Sequence, residues 1–151
     1  MRYFLDTEFN GYGGELISIA LVPEYGDDEY YAVLPLPGEV HPWVVRNVLP
    51  YLGSVPPGLV SEPIPRSVVA REIARYLASD EIPLIVADWP EDIAHFCNLL
   101  VTGPGAMPSI GDLRFHFLSS PGFSTSENSR VPHNALHDAR ALRAFVLGGA
   151  M

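Results

Sequence analysis

The chain contains no lysine, so all nine of its basic residues are arginines, and 18 acidic residues give it a formal net charge of −9. A protein this acidic is poorly suited to binding a long nucleic acid through phosphate contacts. The charge leaves open a short anionic substrate at a metal site, because bound divalent cations reverse the local charge. The composition therefore limits the size of an anionic substrate more than its chemical class.

Cysteine and long apolar runs are also scarce. Cys97 is the only cysteine, which excludes an internal disulfide and a zinc site built from cysteines. No apolar run approaches the roughly 20 residues that a transmembrane helix needs, and the N-terminal MRYFLDTEF does not have a signal-peptide pattern. We therefore expect a cytoplasmic protein without a membrane partner.

The length and composition indicate one globular domain over residues 1–151. Hydrophobic residues make up 48% of the chain and charged residues 18%, which is typical of folded soluble proteins and not of disordered chains. A chain of this length can bury a sizeable core.

The hydrophobic pattern predicts an α/β order of elements and a mixed sheet, with three antiparallel strands first and parallel pairing later. The predicted strands are residues 2–9, 15–22, 30–36 and 83–89, and the predicted helices are 41–49, 66–79, 90–101 and 134–147. Residues 50–65 and 102–132 are rich in loop-forming residues, with one short element expected around 109–118. Within the second of these segments, residues 119–132 are predicted to form a mobile surface loop.

Two acidic residues, Asp6 and Glu8, lie within the otherwise apolar first strand. Side chains alternate along a strand, so both carboxylates leave the same face about 7 Å apart. Carboxylates this close repel each other, and burial makes both harder to ionise. An exposed edge strand with one polar face would also explain the pattern; otherwise a positive partner must lie between the two acids.

A second pair of acids, Asp88 and Asp92, lies where the fourth strand leads into the helix 90–101. Acids in a first helical turn stabilise the helix dipole, and Glu91 is expected to do only that. Asp92 also follows the C-terminal end of a strand, where open α/β sheets collect ligand groups. The position of Asp92 alone is consistent with both roles, an acid that stabilises the helix and a ligand group. On the same helix, Ile93, Phe96, Cys97 and Leu100 are predicted to form the buried stripe.

The third acidic signal is HNALHDAR at residues 133–140. Asn134 is a plausible N-cap, which places His133 in the loop just before the helix. Asp138 lies one turn further on, beside the apolar face, where it is either a satisfied core acid or a metal ligand. His137 is predicted to point elsewhere, into solvent.

Together the three signals supply four carboxylates and one histidine from three separate elements, without a thiol. Oxygen ligands without sulfur favour Mg²⁺ or Mn²⁺ over zinc. A pair of such ions about 4 Å apart binds both the attacking and the leaving oxygen of a phosphodiester displacement. The sequence therefore predicts a metal centre as the positive partner of the two acids on the first strand.

The same residues resemble the motifs of the DEDD exonucleases, in the variant with a histidine (DEDDh), a family with a ribonuclease H-like fold. Its first motif, Asp-x-Glu, is similar to Asp6 and Glu8. Its second motif has an aspartate followed by two residues and an apolar pair at the start of a helix, and it is similar to the stretch from Asp92 to Phe96. Its third motif, His-x₄-Asp, is similar to His133 and Asp138. The motifs occur in family order across nearly the whole chain. The length and the opening RYFLDTEFNGYGGELISIALV look most like a bacterial branch typified by a mycobacterial 3′–5′ exoribonuclease.

The resemblance implies a homodimer that uses two Mg²⁺ or Mn²⁺ ions to release nucleoside 5′-monophosphates from the 3′ end of single-stranded RNA or a short oligonucleotide. The implied metal ligands are Asp6, Glu8, Asp92 and Asp138, and His133 is the implied general base. The family usually has Asn four residues before the second-motif aspartate, where this chain has Asp88. Asp88 either supports the ligands without binding metal or competes with Asp92; the spacing to Phe96 favours Asp92.

Residues near these motifs are candidates for contacting substrate. Thr7, Phe9 and Trp89 are predicted to bind it, and the aromatic side chains of Phe9, Tyr12 and Trp89 are candidates for stacking on a base. Core packing is the alternative explanation for each aromatic residue. Two alternative functions remain: a 3′–5′ DNA exonuclease with the same site, and a non-catalytic nucleic-acid-binding module.

Overall fold

The computed structural model describes residues 1–149 and has eleven short elements. The strands are β1 (Arg2–Phe9), β2 (Leu16–Pro23), β3 (Tyr30–Val33), β4 (Leu84–Ala87) and β5 (Arg114–Phe117). The helices are α1 (Pro42–Asn47), α2 (Arg66–Leu77), α3 (Pro90–Leu99), α4 (Thr125–Asn128) and α5 (Ala135–Gly149), with one 3₁₀ turn at Leu49–Tyr51.

The five strands form one mixed sheet in the order β3-β2-β1-β4-β5. β1 and β3 each pair antiparallel with β2, whereas β1 with β4 and β4 with β5 pair parallel. The α/β class and the mixed sheet are therefore confirmed. Because β1 is central and parallel to β4, the carboxyl ends of these two strands lie at the same edge of the sheet, with Asp6 and Glu8 on one strand and Asp88 just beyond the other.

The core lies on both faces of the sheet, as the alternation of β1 requires. Leu5 faces a cluster that includes Ile73 of α2 and Phe96 of α3. Phe4 faces the opposite way, into a cluster with Leu136 and Leu142 of α5. The helices thus cover the sheet from two sides, and successive residues of β1 point to different helices. Within residues 1–149, no helix combines the length and the apolar character needed to span a membrane.

Most predicted elements are present with shifted ends. β3 ends at Val33 and not at residue 36, because the prolines at 35 and 37 have no N–H group for a sheet. The segment 119–132 contains the short helix α4, and Phe123 packs on Phe145 of α5 with ring centroids 5.2 Å apart. The segment is therefore partly helical and anchored to α5, where a loop was predicted.

Two side-chain predictions are wrong. Cys97 is exposed, whereas Phe96 and Leu100 are buried and Ile93 packs against the same core cluster, so Cys97 is the one member of the predicted stripe that does not face the core. His137 does not extend into solvent: it is half-buried, and its Nε2 lies 2.8 Å from the carbonyl oxygen of Ser54.

Candidate functional site

Three polar residues near the C-terminal end of β1 point to two different sides of the sheet. Asp6 and Glu8 share the face of Phe4 and so point towards α5, whereas Thr7 shares the face of Leu5 and points towards α3. The pairing with β2 has an irregularity between Glu8 and Phe9, at the edge of the sheet where these residues gather. Alternation along one strand thus supplies side chains to both halves of the site.

Asp92 is fixed to β1 by two hydrogen bonds from Thr7. The Thr7 hydroxyl donates to Asp92 Oδ1 at 2.6 Å, and the Thr7 N–H donates to the same oxygen at 3.3 Å. Asp92 lies in the first turn of α3, which begins with Pro90 at a position that does not need an N–H group. Burial raises the pKa of Asp92 to about 7, although the bonds from Thr7 favour its ionised form.

The start of α5 places His133 and Asp138 together. Asn134 caps the helix as predicted, its Oδ1 accepting from the N–H of His137 at 3.2 Å. His133 has a φ of 69° and is the only residue other than glycine, within residues 1–149, in the left-handed region. Its N–H donates to Asp138 Oδ2 at 3.1 Å. Backbone strain of this kind is concentrated at functional sites.

Glu8, His133 and Asp138 form a group that can hold a metal ion. Each offers one ligand atom, and the three atoms lie within 4.8 Å of one another. The group joins the end of β1 to the start of α5 and contains two carboxylate oxygens and one imidazole nitrogen. The sequence-based interpretation made His133 a proton acceptor only, whereas this geometry also allows its nitrogen to reach a shared ion.

The carboxylates of the site are strongly coupled. Burial and the negative charges of Asp92 and Glu8 hold the pKa of Asp6 well above its usual range. The pKa of Glu8 is raised in the same way, by burial and by the charge of Asp138, and burial also raises the pKa of Asp138. Among the described residues, Asp6 Oδ2 and Asp138 Oδ1 are buried without a hydrogen-bond partner. A bound cation would satisfy these oxygens and offset the repulsion.

All the predicted site residues line one cavity of about 510 Å³. They are Asp6, Thr7, Glu8, Phe9, Asp88, Trp89, Asp92, His133 and Asp138.

Asp88 is half-buried, and its pKa is raised by burial, but only Asp92 receives the hydrogen bonds from Thr7. The structure therefore places both acids of the second motif at the cavity and fixes Asp92 more firmly. Thr7, which was predicted to bind substrate, lines the cavity, but its hydroxyl donates to Asp92.

Exposed aromatic side chains surround the acids. Trp89 is 55% exposed, and its indole N–H donates to Glu91 at 3.2 Å, so Glu91 contributes to this rim beyond its place in the first turn of α3. Tyr12 is almost fully exposed in the β1–β2 turn. Trp43, which the sequence reasoning missed, lines the cavity from α1 and packs against His133. No spacing in the sequence connects Trp43 with the acids.

A scan against protein-family models finds no match for this chain, and a search of curated proteins finds no significant relative.

Proposed function

We propose that this protein is a metal-dependent 3′–5′ exoribonuclease of the DEDD superfamily, in its histidine variant, with a ribonuclease H-like fold. It would hydrolyse the last phosphodiester bond at an RNA 3′ end and release a nucleoside 5′-monophosphate. One observation carries the proposal: Asp6, Glu8, Asp92, His133 and Asp138, chosen from three separate motifs, line a single cavity. The five-stranded mixed sheet with flanking helices is compatible with the proposed fold.

The donor set of the cavity suits a hard divalent cation. Carboxylate oxygens and one imidazole nitrogen surround it, and there is no thiol because Cys97 is exposed on α3. Two buried oxygens, Asp6 Oδ2 and Asp138 Oδ1, have no hydrogen-bond partner within residues 1–149. Asp6, Glu8, Asp92 and Asp138 would therefore hold Mg²⁺ or Mn²⁺, two ions in the proposed mechanism. When bound, such ions lower the pKa of a coordinated water and neutralise charge on the scissile phosphate.

The remaining chemistry belongs to the side chains. His133 stands beside Glu8 and Asp138 and would accept the proton of the attacking water. Asp92, which lines the same cavity, would help to orient a metal-bound water, because two hydrogen bonds from Thr7 fix one of its oxygens. In-line attack at phosphorus then breaks the bond to the 3′-oxygen of the preceding nucleotide.

The rim of the cavity supports a nucleic acid as the substrate. Phe9, Tyr12, Trp43 and Trp89 line the same space as the acids, and aromatic side chains stack on bases of any sequence. The net charge of −9 favours a short 3′ end over a long duplex, since few cationic side chains remain for phosphate contacts. The preference for RNA and the homodimeric state rest on the family resemblance and belong to the same proposal.

To test the proposal, the protein is incubated with a labelled single-stranded RNA or with a DNA of matched sequence, in Mg²⁺, in Mn²⁺ and in EDTA. We expect stepwise shortening of the RNA from its 3′ end, release of 5′-monophosphates, and no reaction in EDTA. Asp138→Asn serves as the inactive control. Glu62→Gln, in the exposed loop between the 3₁₀ turn and α2, serves as the matched acidic control. Faster shortening of the DNA would make the enzyme a DNA exonuclease. Binding of RNA without shortening would indicate a non-catalytic module. Sedimentation of the same samples tests the dimer.

A further inference from the structure

The imidazole ring of His133 makes fewer hydrogen bonds than the backbone around it. The main chain is fixed, because the N–H of His133 bonds to Asp138 and the next residue, Asn134, caps α5. Within residues 1–149, however, neither ring nitrogen makes a hydrogen bond to protein. A proton acceptor must keep its ring in one orientation to be effective, so some other contact must limit the rotation of this side chain.

Trp43 supplies that contact. The indole and imidazole rings pack edge to face, with centroids 4.9 Å apart and planes at 76°. This is the geometry that aromatic pairs prefer. Trp43 is 43% exposed and lines the same cavity as His133 and the acids.

Trp43 is itself fixed at the start of α1. Its N–H donates to His41 Nδ1 at 3.1 Å, and its carbonyl oxygen accepts from Asn47 at 2.9 Å. The next residue, Val44, is buried against Ile17 of β2. The helix is short, but these contacts give the indole a defined place relative to the sheet.

Asn10 connects this helix to the end of β1. Its Nδ2 donates to the carbonyl oxygen of Glu39 at 2.8 Å, and its Oδ1 accepts from the N–H of His41 at 2.8 Å. The Asn10 N–H donates to Glu15 across the β1–β2 turn at 2.9 Å. One amide side chain therefore fastens the segment before α1 to the strand that carries Asp6 and Glu8.

We propose that Asn10 and Trp43 are positioning residues for His133: Asn10 fixes the start of α1 to β1, and Trp43 then orients the imidazole beside the acids. The inference rests on the proposed function for the role of His133 as proton acceptor. Neither residue is required to touch the reacting phosphate. The consequence is that a residue outside the cavity, Asn10, controls the rate of the chemical step.

A double-mutant cycle with His133→Ala separates positioning from substrate binding. If Trp43 acts through His133, Trp43→Ala lowers kcat about tenfold or more in the wild-type background and changes it less than about twofold when His133 is already alanine. Trp43→Phe, which keeps an aromatic ring, should recover most of the loss. Trp89→Ala is the matched control, because this second exposed tryptophan of the cavity should raise KM by the same factor in both backgrounds.

Asn10→Ala tests the connection without changing the cavity wall. We expect a lowered kcat with little change in KM, and Asn10→Asp, which keeps the acceptor for the His41 N–H, should lie between the alanine variant and the wild type. Nuclear Overhauser contacts between the indole and imidazole protons give a readout that needs no activity. They should be present in the wild type and weakened in Asn10→Ala.

Two results would overturn the inference. One is a Trp43→Ala effect that falls on KM and is equal in both backgrounds, which would make Trp43 a substrate-binding residue. The other is an unchanged indole–imidazole contact and unchanged kcat in Asn10→Ala. Failure of the proposed function is distinguishable, because the wild type would then leave RNA intact while the magnetic-resonance comparison still reports on the position of the ring.

Discussion

The contact between Thr7 and Asp92 joins the two halves of the site through a single oxygen. Thr7 offers both its hydroxyl and its N–H to Asp92 Oδ1, and both donors stabilise the ionised carboxylate. Burial acts in the opposite direction and prevails, since the pKa of Asp92 stands at about 7. The charge on this acid near neutral pH therefore depends on a neighbouring hydroxyl group.

Replacing Thr7 should shift the titration of Asp92 in a known direction. Thr7→Val removes the hydroxyl bond at nearly constant volume, so the pKa of Asp92 in the metal-free protein should rise further above its ordinary value. Thr7→Ser keeps the hydroxyl and should behave like the wild type. Carbon-detected NMR of the carboxyl groups measures the midpoint. A lower midpoint in Thr7→Val would mean that the hydroxyl does not donate to Asp92.

The two acids of the second motif should differ sharply in function. Asp92→Asn should reduce turnover by roughly 100-fold or more, because it removes the charge that Thr7 positions. Asp88→Asn should cost less than about threefold, since asparagine is the residue that the resembled family usually has there. Turnover of a short RNA under Mg²⁺ measures both. The reverse order would make Asp88 the reacting acid.

Among the elements, β1 contributes most to the site because its two faces serve different helices. Asp6 and Glu8 point towards α5 and Thr7 towards α3, so one strand fixes the relative position of three motifs. Its central place, between β2 and β4, buries acids that an edge strand would expose to water. The alternative of an exposed edge strand is therefore wrong.

Neutral replacements on β1 should stabilise the metal-free protein while removing activity. Asp6→Asn and Glu8→Gln each delete a like charge from a buried cluster, so the free energy of unfolding in EDTA at about pH 8 should rise by roughly 1–3 kcal/mol. Thermal unfolding measures the gain, and an RNA assay measures the loss of turnover.

The control for this pair is Glu91→Gln, an acid at the rim of the same cavity, which should change stability by less than about 0.5 kcal/mol. Clear destabilisation of both β1 variants in EDTA would show that the two carboxylates serve the fold and not a metal ion.

The elements with strong local patterns could be predicted from sequence, and those fixed by distant contacts could not. β1 matches its prediction because its apolar alternation is self-contained, and Asn134 was identified from cap chemistry alone. Trp43 was missed because its place depends on Asn10, 33 positions earlier in the chain. The burial of Cys97 was predicted wrongly, because consecutive residues of a helix point about 100° apart, which is enough to separate a buried side chain from an exposed one.

At the scale of the whole molecule, the carboxyl groups of the site make the free energy of unfolding depend on pH. Asp6, Glu8, Asp92 and Asp138 all have raised pKa values in the folded state. Above about pH 4 these four groups bind more protons in the folded state than in the unfolded chain, so their contribution to the free energy of unfolding decreases as the pH rises. For Asp92 this decrease extends from its ordinary pKa of 3.8 to about 7.

The metal-free protein should accordingly be less stable at about pH 8 than at about pH 5. We expect its Tm in EDTA to fall across this interval and excess Mg²⁺ or Mn²⁺ to restore it, because ions that bind only the folded state stabilise it by mass action. Calorimetry at a series of pH values measures both effects, and Asp92→Asn should flatten the slope. A Tm that rises with pH in EDTA would contradict the raised carboxyl pKa values.

The exposed position of Cys97 has a practical consequence for studying the molecule in solution. It is the only thiol in the chain, and it lies on α3, the helix that begins beside Asp92. A nitroxide attached there would sit at one known place without any engineered residue. If paramagnetic Mn²⁺ occupies the acidic cavity, pulsed dipolar spectroscopy would measure the distance between the label and the ion, and this distance can be compared with the distance from Cys97 to the cavity.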